Sequence, residues 1–188
     1  SLGKPVIAFE PMERNLRYLC KNVKANDWDG VEIFPLALSN YIGVLEIYGG
    51  NTGASVVKGW AGTPESYKTL VPCSTMDVVL NTRLQEKRAL ILVDVEGAEK
   101  WMLEGASIML DSNKMPIWII EIASKELQPQ GIKINPNFKS TFEMFFDRGY
   151  QAFDLEQKMR PIVLEDIEKV YKDEVGFSSN NFLFCKPQ

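Results

Sequence analysis

The chain has 188 residues, which predicts one domain over 1–188, and its 45% hydrophobic and 24% charged residues suit a globular core without disulfide or metal staples. Its net charge of -4 argues against nucleic acid as the main partner, because phosphate recognition needs a basic surface. Histidine is absent from the sequence, which excludes Ser-His-Asp and Cys-His catalysis, a histidine general base and histidine-ligated zinc.

Residues 5–10, PVIAFE, are an apolar run ending in an acid and predict a first strand. Pro11 suits the first turn of a helix, and Met12, Leu16, Leu19, Cys20 and Val23 recur at helical spacing as far as Asn26. Residues 31–38, VEIFPLAL, predict a second strand, and the alternation in 44–48, VLEIY, predicts a half-exposed third. Gly49, Gly50 and Gly53 mark a loop. Residues 57–70 have no clean period and read as surface loop with a short helix near 64–68, before a short strand at 70–74. Ser74 or Thr75 then caps a helical turn beginning MDVVL.

The nearly all-apolar run 89–95, ALILVDV, predicts a central parallel strand covered on both faces. Ala98, Trp101 and Met102 start a helical stripe that resumes at Ile108 and Met109, and 117–122, IWIIEI, predicts another buried strand. Pro136 opens a helix with Phe138, Phe142, Phe145 and Phe146 on its core face, stopped by Gly149. Residues 151–155 read as a strand, Leu164 to Tyr171 as an amphipathic helix, and 181–185 as a closing strand. Strands alternating with helices predict an α/β fold with a mostly parallel sheet between helical layers. The apolar runs are strand-sized, shorter than the roughly 20 residues of a membrane helix, and no basic-then-apolar leader opens the chain. Cys20, Cys73 and Cys185 form no CxxC pair and read as buried or half-buried thiols of a cytoplasmic protein.

The candidate site residues are acids at strand ends, since ligands of open parallel sheets bind beyond the carboxyl ends of the strands. Glu10 stands where the first strand meets its helix, a position that suits either a ribose-binding carboxylate or an acid favoured by the helix dipole. Asp94, Glu96 and Glu99 form D-V-E-G-A-E after ALILV, and Glu121 closes IWII. An acid at the end of so apolar a strand costs desolvation unless it has work or a partner, so Asp94 and Glu121 read as functional: a general base, a metal ligand or an ammonium partner. Glu99 reads as a helix-start acid. Two carboxylates are too few to define a cation site, and no metal is expected.

The ordered set A-F-E-P with Asn15, Leu19 and Asn22, then P-L-A-L-S at 35–39, Gly53-Ala54-Ser55, S-T-M-D at 74–77, D-V-E-G-A-E and L-E-G-A at 103–106 resembles the FkbM family of methyltransferases, from about residue 4 to about 155. The resemblance implies a three-layer Rossmann-like class I methyltransferase sandwich with a final antiparallel strand, here without the family's first strand, glycine-rich turn and first helix. It implies S-adenosylmethionine as cofactor and methylation of a hydroxyl on a small molecule or sugar. Glu10 and Pro11 would hold the ribose, Ala37 and Leu38 the adenine, and Asp94 the methionine end or the acceptor. Glu96 and Glu121 would serve as base or acceptor contacts. The loop 49–70 and the segment 124–135 would shape the acceptor pocket, with Lys58, Lys68 and Lys125 available to an anionic acceptor or simply solvated. Open central strands would favour self-association into a homo-oligomer. A nucleotide-dependent oxidoreductase shares the ribose acid but needs a G-x-G-x-x-G turn, which this sequence does not contain. A non-catalytic interaction domain of the same fold is the other alternative.

Overall fold

The computed structural model describes residues 3–50, 52–81, 83–84, 86–156, 158–172, 174–177 and 179–187. Strand β1 (Val6–Phe9) runs into helix α1 (Glu13–Ala25), and β2 (Val31–Phe34) returns parallel to β1. Pro11 stands before α1 rather than in its first turn, because Met12 is the N-cap. The predicted strand 31–38 is cut in two. Pro35 has no N–H for a ladder, and the Leu36 amide turns back to the Phe34 carbonyl at 2.9 Å. The chain then enters a different sheet as β3 (Ala37–Leu38), followed by β4 (Gly43–Tyr48) and, beyond a 3₁₀ turn at Trp60–Gly62, β5 (Lys68–Ser74). No helix forms at 64–68, where Tyr48 of β4 already pairs with Lys68 at the start of β5. The order in this sheet is β3-β5-β4.

Helix α2 (Met76–Leu80) begins as the sequence predicts, with Thr75 Oγ1 accepting the Val78 N–H at 3.1 Å. Strand β6 (Leu90–Val93) leads to the short helices α3 (Glu99–Glu104) and α4 (Ser107–Leu110), then β7 (Ile117–Glu121). Helix α5 (Phe138–Phe146) follows, then β8 (Gln151–Asp154), β9 (Arg160–Ile162), α6 (Leu164–Tyr171) and β10 (Asn181–Cys185). These strands form a five-stranded sheet of order β6-β7-β10-β8-β9, in which β10 runs antiparallel to both β7 and β8. The main core lies on this sheet. Phe138, Phe142 and Phe145 of α5 are fully buried against Phe182 and Phe184 of β10, and Phe145 stacks on Phe184 at 4.0 Å. Each such ring contributes about 1.5–3 kcal/mol by burial, with ~1 kcal/mol more from aromatic pairing.

The fold is therefore α/β, with mixed sheets and six helices among the described residues. Among the described residues parallel pairing is confined to β1–β2, β3–β5 and β6–β7, so these pairings do not form the mostly parallel sheet expected from the alternation of elements. Two hairpins, β4–β5 and β8–β9, supply antiparallel pairs, and β1 does not pair with β6. Strand β6 is also not covered on both faces: Leu90 is 68% and Leu92 75% exposed. Of the cysteines, Cys73 is buried and Cys185 half-buried, whereas Cys20 lies exposed on α1. No helix of the described residues is long and apolar enough to cross a membrane.

Gly105, at the end of α3, meets Ser39, the residue after β3, backbone to backbone. A Cβ there would sit 2.0 Å from the Ser39 carbonyl oxygen, so only glycine allows the two backbones to touch. The Asp77 N–H donates to the Gly105 carbonyl at 3.0 Å, and the Ile108 N–H donates to Asp77 Oδ1 at 3.0 Å.

Candidate active site

The parallel register Val93↔Ile120 sets Asp94 and Glu121 side by side, just past β6 and at the last residue of β7. Both line a shallow crevice with Glu96, Gly97, Glu99, Ala123 and Trp60. Two sharp turns make this grouping possible. Glu96 has φ +51° and Gly97 φ +90°, which swing the chain from the strand end into α3. The indole of Trp60 covers Gly97 so closely that a Cβ would lie 2.7 Å from its ring. Trp60 Nε1–H donates to Glu96 Oε2 at 2.8 Å, and Ser55 Oγ–H donates to the Glu96 carbonyl at 2.5 Å. Glu99 is 4% exposed and takes the Gly97 N–H on Oε1 at 2.9 Å.

Crowding carboxylates out of water makes all three glutamates harder to ionise. Burial pushes the Glu99 carboxyl up to about 7, with Asp94 and Glu96 adding repulsion and the Glu99 and Gly97 amides opposing. Glu96 is raised by burial and by Asp94, against the Trp60 hydrogen bond. Glu121 is raised by burial, then by Asp94 and Glu96. A carboxylate with a raised pKa is a better proton acceptor, which is what a base for a hydroxyl requires. No group of three or more metal-ligating side chains is spaced for an ion among the described residues.

The remaining sequence-derived residues stand outside this crevice. Glu10 follows β1, where its N–H donates to the Phe34 carbonyl at 3.1 Å and its Oε1 accepts the Met12 N–H at 2.7 Å. Pro11 leads into Met12, which packs in one apolar cluster with Ala37. Leu38 borders a cavity of about 340 Å³, whose other walls include Leu45, Tyr48, Val56, Ala98 and Trp101. Gly97 lines the crevice and Ala98 lines the cavity, so the D-V-E-G-A-E turn separates the two.

Sequence reasoning missed Trp60, and it read Glu99 as a helix-start acid, which it is as the first residue of α3, without its burial in the crevice. For Glu99 a signal existed: Met102 and Leu103 follow at helical spacing, which puts position 99 on the buried face of α3. Trp60 carries a weaker one, a large apolar ring between Gly59 and Gly62 in an otherwise polar loop. The segments 49–70 and 124–135 do meet beside the crevice, where the Ala61 N–H donates to the Leu127 carbonyl at 2.8 Å. Two of the lysines set aside for an anionic acceptor already have acids beside them: Lys68 pairs with Glu46 and Lys58 stands 3.8 Å from Glu65.

The acids stand at the carboxyl ends of adjacent parallel strands, the side on which open α/β sheets take their ligands. The family model described as the methyltransferase FkbM domain matches residues 2–152, and the chain belongs to that family. No curated protein and no solved structure matches the chain.

Proposed function

We propose that this chain carries the catalytic core of a cytoplasmic, S-adenosylmethionine-dependent methyltransferase that modifies a hydroxyl of a small molecule or sugar. The observation that carries the proposal is the meeting of Asp94, Glu96 and Glu121 in one crevice of a chain that belongs to the FkbM methyltransferases. The residues fit the cofactor. The Oε2 of Glu10 takes no hydrogen bond from the described residues, which leaves it for a ribose hydroxyl. The cavity beside Leu38 has room and aromatic walls for an adenine.

When bound, S-adenosylmethionine would supply a methyl group on a sulfonium, whose displacement by the acceptor oxygen forms a C–O bond, breaks the C–S bond and leaves a neutral thioether. The protein's work is positioning and proton removal. Glu10 and Pro11 would hold the ribose, and Leu38, with Ala37 buried behind it, would stand beside the base. Asp94 would face the methionine end or the acceptor. Glu96 or Glu121 takes the hydroxyl proton, a step that its raised pKa favours. The loop that carries Trp60 borders the crevice and would help to shape the acceptor pocket.

Calorimetric titration of S-adenosylhomocysteine tests the proposal, run on this chain and on the same chain extended upstream through a strand and a glycine-rich turn. Binding by either form that is lost in Glu10→Gln supports it. Binding by neither overturns it and leaves an association domain of methyltransferase fold as the better reading, which the open face at Leu90 and Leu92 favours.

A further inference from the structure

We infer that Trp60 and Ser55 are positioning residues for Glu96, a two-point clamp by which the loop after β4 aims the acceptor-side carboxylate. The inference rests on the reading of Glu96 given above, and the geometry of the clamp stands by itself. Trp60 is 2% exposed, too deep for a residue that merely decorates a loop. Its Nε1–H fixes one carboxylate oxygen of Glu96 at 2.8 Å, while Ser55 Oγ fixes the carbonyl of the same residue at 2.5 Å.

Ser55 is itself held. It exchanges backbone hydrogen bonds with Tyr48 at 2.7 and 2.9 Å, and its Oγ accepts the Val57 N–H at 2.9 Å. The clamp thus begins on the rigid end of β4. Glu96 needs such support, because a left-handed φ at a residue with a side chain costs about 1 kcal/mol or more. Gly97 completes the device by leaving no Cβ where the Trp60 ring must lie. The charged groups facing Glu96 are Asp94, Glu99 and Glu121, all acids, so the indole N–H is the contact that favours its ionised form.

The test is a ¹³C NMR titration of glutamate-labelled chain, with Glu96 assigned through Glu96→Gln. In Trp60→Phe, which keeps a ring over Gly97 and removes the donor, the Glu96 carboxyl titrates at a higher pH than in the unaltered protein. An unmoved Glu96 titration in folded Trp60→Phe overturns the clamp, because a merely structural indole would lower the melting temperature without touching Glu96. If Trp60→Phe does not fold, the Trp60 indole N–H resonance of the unaltered chain is read instead. It shifts as Glu96 titrates and loses that step in Glu96→Gln; an indole N–H indifferent to Glu96 overturns the inference. Absence of S-adenosylhomocysteine binding alongside a shifted Glu96 would sink the proposed function and leave the clamp standing.

Discussion

The segments ALILVDV at 89–95 and IWIIEI at 117–122 are close to interchangeable as text, yet they finish in opposite surroundings. Strand β7 has β6 on one side and β10 on the other, and its Trp118 and Ile120 are fully buried. Among the described residues strand β6 pairs with β7 alone, and its Leu90 and Leu92 stand in the open on one face. An apolar run records that a strand is suited to being covered on both faces. It does not record what covers it, because that depends on which segment packs there, a tertiary fact.

The comparison breaks most sharply by truncation. Trp118→Ala removes the largest side chain of β7 and is expected to cost about 3–5 kcal/mol in urea denaturation, because the ring leaves a cavity against Phe145. A loss below about 1 kcal/mol would mean that the two strands are alike after all.

The shared crevice at the ends of both strands gives a pH-dependent effect of intermediate size. Burial lifts Glu99 from 4.5 to about 7 in the folded chain, so folding favours its protonated form. The full stability is therefore present below about pH 4.5 and is lost as pH rises through about 7, by at most about 3 kcal/mol. Glu99→Gln stays neutral, so it is expected to gain on the unaltered protein between pH 5 and pH 8. Parallel stability–pH curves for the two proteins would refute a buried, protonated Glu99.

The smallest effect is expected on the open strand. Leu92→Ser changes stability by no more than about 0.5 kcal/mol, since little contact is lost. Light scattering should report less self-association, because an exposed apolar strip beside a free strand edge is the feature that invites pairing. A large destabilisation by Leu92→Ser would show that this face is covered.

Legibility in the sequence followed the range of the interaction. Local signals read true: the Thr75 cap, the phenylalanine stripe of α5, and β10, whose burial alternates along Asn181–Cys185. Pro35 divides two sheets and was readable in principle, but the apolar residues on either side of it read as one continuous strand. Strand β9 was missed because Arg160-Pro161-Ile162 has too few residues to show a period. In the site, the acids Asp94, Glu96 and Glu121 were legible because strand ends are where charge is placed on a parallel sheet. Trp60 was not, since its partner lies 36 residues away and no local pattern couples a loop tryptophan to a distant turn.

The contact between Gly105 and the Ser39 carbonyl has a consequence for how the molecule comes apart. Beside it the Asp77–Gly105 and Ile108–Asp77 bonds tie α2, which follows β5 directly, to the α3–α4 corner. The amides of Asp77 and Ile108 therefore belong to one opening event, and their exchange with solvent deuterium keeps a common clock.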